Sequence, residues 1–194
     1  MSAVPYTSVP RPDTGLYNGK VGTWLFLAAE AMFFGALFSS YVFLRTAAEE
    51  WPIGAEALPA GLGVANVLCV ILLAIAAANG WLHGGTDRGT MWLWIAFGLG
   101  LLSVILIAVE HRIVVDGGAK AATSTFHGMY YLLTGLLRFH VIGGLIVTLY
   151  LVTFGKGLLR RDRQRYINRV ECLGLYWQFI GVMSIVTFIL LYLV

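Results

Sequence analysis

The sequence predicts an all-α, polytopic integral membrane bundle of five transmembrane helices, and three observations lead there. Of its 194 residues, 59% are hydrophobic and only 12% charged. That is about half the charge of an average soluble domain, too little to cover a water-soluble globule. The apolar residues gather in five stretches, each able to supply the about 20 helical residues that cross a hydrocarbon core of about 30 Å. None of these stretches alternates as a barrel strand does, so in lipid each must satisfy its backbone hydrogen bonds within itself, as a helix.

Residues 1–20 read as a polar tail, with prolines, Asp13 and no apolar run of the signal-peptide kind, so the first span is expected to act as its own insertion signal. Residues 21–194 read as one membrane domain. The first span covers 21–44, with Ala31, Gly35 and Ser39 forming a small-residue ridge that invites close helix packing. An acidic loop with Glu49, Glu50 and Glu56 follows. The second span covers 58–82 and the third 91–109. The fourth, 123–154, is longer than a bilayer needs, and Thr123, Ser124 and Thr125 are candidate N-caps. The fifth covers 172–194. Trp24, Tyr41, Trp81, Trp92, Tyr176 and Trp177 fall near the ends of these stretches, where interfacial aromatics anchor depth.

Charge sets the expected orientation. Arg11, Lys20, Arg88, Lys156, Arg160, Arg161, Arg163, Arg165 and Arg169 lie on the amino-terminal side, against Arg45, Arg112 and Lys120 opposite. By the positive-inside rule the amino terminus is cytoplasmic and Val194 ends outside. The run LLRRDRQRYINR between the fourth and fifth spans sits where anionic headgroups would attract it. The net charge of +3, without a basic stripe interleaved with aromatics, argues against nucleic acid as a partner. Cys69 and Cys172 have neither disulfide-framework nor metal-site spacing.

Ionisable groups deep in a span need a partner or water, so they are the candidate functional residues. Glu30 lies near the middle of the first span, Arg138 and His140 near the middle of the fourth, and Glu110 at the outer end of the third. Their depths predict a pair between Glu30 and Arg138. His140 reads as a hydrogen-bonded core histidine and not a metal ligand, because His83, His111 and His127 fall near span ends. No catalytic triad, phosphate loop or haem-attachment motif is present. The residues alone leave two readings open, a non-catalytic subunit of a larger assembly and a small ion or proton channel.

The stretch WLFLAAEAMFFGALFSSYVFLR, residues 24–45, resembles the first shared helix of subunit III of the haem-copper oxidases, in which a membrane-buried glutamate precedes paired aromatics. Glu30, Phe33 and Phe34 carry the match. Further along, Glu110, the segment STFHGMYYLLTGLLRFHVIGGLI and the YWQF at Tyr176 to Phe179 resemble family features in the same order. The chain departs from the family's His-Gly-Leu-His at Leu137, Arg138 and Phe139, and from its Tyr-Trp-His-Phe-Val-Asp at Gln178, Ile180 and Gly181.

The resemblance implies the short, five-helix bacterial form of that subunit, in the cytoplasmic membrane. Such a subunit has no redox centre, catalytic residue or metal of its own. It packs on subunit I, with subunit II and small subunits nearby and a respiratory supercomplex as a further setting, and haems and copper belong to subunits I and II. It binds phospholipid and supports proton uptake and stability during turnover. By carry-over Glu30 is the buried carboxylate, and Glu110, Arg138 and His140 are polar bundle or lipid-cleft residues, Arg138 meeting a lipid phosphate or Glu30. Subunit III of quinol oxidases and the homologue associated with nitric oxide reductase share the pattern, since the electron donor binds elsewhere.

Overall fold

A computed structural model describes residues 10–194; the first part of the expected tail, residues 1–9, lies outside the described residues. Five helices are long and apolar enough to cross a membrane: α1 (Asn18–Ala47), α3 (Ala60–Leu82), α4 (Asp87–Asp116), α5 (Thr125–Thr153) and α7 (Arg163–Phe188). Short helices α2 (Gly54–Ala57) and α6 (Gly155–Arg161) join them, and α7 runs on as a π-helical turn, Ile189–Leu193. Among the described residues no strand occurs, so the all-helical five-span architecture read from the sequence holds.

The helices outrun the apolar stretches, because chain that is too polar for hydrocarbon can stay helical through the headgroup layers. A 30-residue helix is about 45 Å long, against about 40–45 Å for core plus interfaces. Side-chain caps fix three starts. The hydroxyls of Thr86 and Ser124 accept from Gly89 N (3.2 Å) and His127 N (3.3 Å), and the Asp162 carboxylate accepts from Arg165 N (2.9 Å). Ser124 is therefore the cap among the three candidates. Asp162 starts the last helix nine residues before Cys172, so most of the basic run is helical and Tyr176 and Trp177 lie mid-helix.

Helix α3 packs chiefly on α4 and α7. One core cluster, around Leu73, Ala77, Leu93, Val170, Trp177 and Ile180, fills the end near α6. A second, around Tyr41, Leu58, Phe126, Tyr130 and Leu191, fills the opposite end. Two of the expected interfacial anchors belong to these cores. Tyr41 is 1% exposed and Trp177 fully buried, each with a polar partner, Trp51 Nε1 donating to Tyr41 Oη (3.3 Å) and Trp177 Nε1 to Thr148 Oγ1 (3.2 Å).

Helix α1 is peripheral. It buries only Leu27, Phe34 and Tyr41, whose seven-residue spacing makes a single seam along one face. The Ala31, Gly35, Ser39 ridge does not serve helix packing within this chain, because a β-carbon at Gly35 would meet nothing within 4 Å.

Candidate functional site: charged groups inside the bundle

The four ionisable residues read from the sequence sort into two groups on opposite faces of α5. On the α1 side, Glu30 Oε2 lies 3.1 Å from His140 Nε2, with side-chain exposures of 19% and 8%. The other ring nitrogen, Nδ1, lies 2.9 Å from the Leu136 carbonyl, which can only accept, so Nδ1 holds a hydrogen. A hydrogen bond between Nε2 and Oε2 then requires a second hydrogen, on the carboxyl or on the imidazole. Phe34 packs on the imidazole at 5.3 Å between ring centres, and Tyr176 donates to the His140 carbonyl at 2.7 Å.

Arg138 points the other way. Its Nη2 donates to the Ile107 carbonyl (3.4 Å) and to His111 Nδ1. The expected Glu30–Arg138 pair does not form, because residues 138 and 140 stand about 200° apart around a 3.6-residue helix; once His140 faces Glu30, Arg138 faces α4. His111 lies just past the expected 91–109 span, in the part of α4 that continues to Asp116. A guanidinium only donates, so His111 Nδ1 must accept and its Nε2–H donates to Thr134 Oγ1 (2.8 Å). Thr134 in turn donates to the Tyr130 carbonyl (2.6 Å).

Glu110 lies in the same interior. It is 1% exposed and accepts from Tyr130 Oη at 2.8 Å and from Tyr192 Oη of the terminal π-turn. Gly63 makes that reach possible, because a β-carbon there would come 2.6 Å from the Tyr192 ring. Glu110 is thus a bundle-core carboxylate gripped by two phenols.

A third cluster went unread in the sequence. Lys20 Nζ pairs with Glu171 Oε1 at 2.5 Å, and Tyr17 Oη lies 3.0 Å from Glu171 Oε2 and 2.8 Å from the Asn168 carbonyl. Burial, together with Cys172 and Glu171 alongside, pushes the Tyr17 phenol pKa up. These residues flank apolar stretches, where Lys20 reads as a topology charge and Glu171 as loop. The early start of α7 is what brings Glu171 against α1.

Beside this cluster an apolar groove of about 590 Å³ lies between α1, α5 and α7. Phe26, Val147 and Leu173 wall it, Gly143 and Gly144 line its α5 side, and Tyr150 and Arg169 border it, the Arg169 guanidinium 3.5 Å from Tyr150 Oη. Among the described residues no three His, Cys, Asp or Glu side chains are grouped to hold a metal ion.

No family model matches the chain. Whole-sequence relatives do. The probable cytochrome c oxidase subunit 3 of Mycobacterium tuberculosis strain H37Rv is 29% identical, over 90% of this chain and 87% of that protein. The cytochrome bo(3) ubiquinol oxidase subunit 3 of Pseudomonas aeruginosa is 27% identical, over 91% and 85%. The chain is similar to oxidase subunit III over about nine-tenths of its length. A third relative, the heme-copper oxidase subunit I+III of Aeropyrum pernix, is 27% identical over 88% of this chain and 22% of its own length. The subunit III resemblance read from residues 24–45, 124–146 and 176–179 therefore belongs to an end-to-end similarity, consistent with a multi-pass membrane protein.

Proposed function

We propose that the chain is the non-catalytic subunit III of a bacterial cytochrome c oxidase, embedded in the cytoplasmic membrane with its amino terminus inside and packed on subunit I. The observation that carries this reading is the match to the mycobacterial subunit 3 over 90% of this chain and 87% of that protein. The Aeropyrum pernix relative, whose name joins subunits I and III, favours contact with subunit I, with subunit II and small subunits completing the assembly. Haems and copper in subunits I and II supply the redox chemistry.

In this reading the chain's own residues do three things. The Glu30–His140 pair keeps one exchangeable proton between Oε2 and Nε2 at the α1–α5 seam, where it supports proton uptake. The groove between α1, α5 and α7 takes phospholipid acyl chains along its apolar walls, with Arg169 meeting the phosphate. Arg138, turned into the bundle, is a core residue and not the lipid contact. The large core formed by α3, α4, α5 and α7 supplies stability during turnover.

The ubiquinol oxidase relative sustains a second reading, the same role in a quinol oxidase. One experiment separates these: the tagged protein is drawn from its native membrane in mild detergent, and its haem spectrum and co-purifying peptides are measured. Haem absorption with a multi-helix partner and a copper-bearing subunit II is expected. Haem with a subunit II lacking copper assigns the quinol enzyme, and a colourless, solitary protein overturns both in favour of the channel.

A further inference from the structure

Two small cavities lie side by side within the bundle, and each has a few polar side chains set into a mainly apolar lining. One, of about 10 Å³, is bordered by Asn66, Ser103, Arg138 and Ser184. The other, of about 20 Å³, is bordered by Glu110, Thr134, Thr187 and Tyr192. Asn66, Ile107, Leu137 and Ser184 line both, so the cavities share a wall. Each cavity is lined by a residue with a donor left over after the side-chain network closes. Arg138 Nε and Thr187 Oγ1 are buried with no hydrogen-bond partner among the described residues, and Thr187 is only 3% exposed.

An unpartnered donor in lipid-enclosed protein is destabilising, because no bulk water is at hand to satisfy it. The neighbourhood also contains a guanidinium and a carboxyl group that do not touch. No oxygen–nitrogen contact within 4.0 Å joins Arg138 and Glu110, since Arg138 Nη2 goes to His111 and Ile107 and Glu110 Oε1 to the two tyrosines. A polar separation of this kind is where bridging water resides. The space admits nothing larger, because about one water-sized probe already needs roughly 10–15 Å³. A phosphate, a lipid headgroup or a quinone is excluded by volume.

We infer that the two cavities form one internal hydration site, in which bound water links Thr187 and the Glu110 carboxylate to Arg138 Nε. Glu110 and Arg138 are then joined through water and not by direct contact. The site joins α4, α5 and α7 inside the bilayer, and it lies apart from both the Glu30–His140 pair and the apolar groove, so it stands whatever the chain's partners are.

The test is a structure of the wild-type chain in its native membrane assembly, at a resolution that shows ordered water, alongside the Thr187→Val variant. Expected in the wild type is density within hydrogen-bond distance of Thr187 Oγ1 and of Arg138 Nε, with the Glu110 and Arg138 side chains still apart. In Thr187→Val, which keeps the shape and removes the hydroxyl, the density beside residue 187 is expected to be lost. Dry or collapsed cavities overturn the inference, as does a rotated Arg138 in direct contact with Glu110. Density that persists unchanged beside Val removes Thr187 from the site.

Discussion

His140 and Glu30 share one hydrogen bond, but deleting either side should not cost the same. Glu30→Gln leaves an amide that can donate to a neutral imidazole, so only the charge-assisted part of the contact goes, about 1 kcal/mol. His140→Leu leaves the Glu30 carboxyl without its imidazole partner and should destabilise by more, up to about 3 kcal/mol. Thermal melts in detergent read the order directly, and equal losses would count against a shared proton. At Glu110, Tyr192→Phe removes one of two phenol donors and should lower stability by about 1–3 kcal/mol. Its effect should not add to that of Tyr130→Phe, since both act on one carboxylate oxygen.

Glycines show how the elements fit together. Gly63 on α3 lies under the Tyr192 ring, so Gly63→Ala must displace the ring and lengthen its bond to Glu110. A loss of about 1–3 kcal/mol is expected from overpacking, seen as a lower melting temperature. Gly35→Ala should be tolerated or mildly stabilising, because nothing stands within 4 Å of the added carbon and alanine is the better helix former. The adjacent glycines on α5 divide in the same way. A β-carbon at Gly144 would strike Trp177 at 2.6 Å, whereas one at Gly143 meets nothing and borders the groove. Gly143→Leu should therefore fill the groove, lowering the phospholipid that co-purifies per chain by mass spectrometry while leaving the melting temperature near that of the wild type.

At the scale of the whole molecule, the proposed topology of five spans has the two termini on opposite membrane faces. In the proposed orientation, with the basic run of α6 and early α7 on the cytoplasmic side, a phosphatase fused after Val194 should be active outside the cytoplasm, and a fluorescent protein fused there should stay dark. The reverse pattern would mean that the Lys and Arg bias does not set orientation here. Helix α1, held along one seam, leaves most of its surface apolar and exposed, including Met32, Phe33 and Phe43, as a helix facing lipid or another chain would.

Composition and length alone determined the five spans, because hydrocarbon demands long apolar helices and permits few charges. Position alone also singled out Glu30, Glu110, Arg138 and His140, since an ionisable residue amid an apolar run is conspicuous without any coordinates. What the sequence could not supply was azimuth. Depth along a span is linear in residue number, but the face a side chain occupies turns by about 100° per residue and acquires a partner only when helices dock. Packing therefore decided that Glu30 meets His140 and that Arg138 meets His111. It brought Glu171 against Lys20 once Asp162 had started α7 early, and it put Tyr41 and Trp177 in the core where their spacing had suggested the interface. It also enclosed the polar cavities between Glu110 and Arg138, which exist only because side chains from α3, α4, α5 and α7 converge on one point.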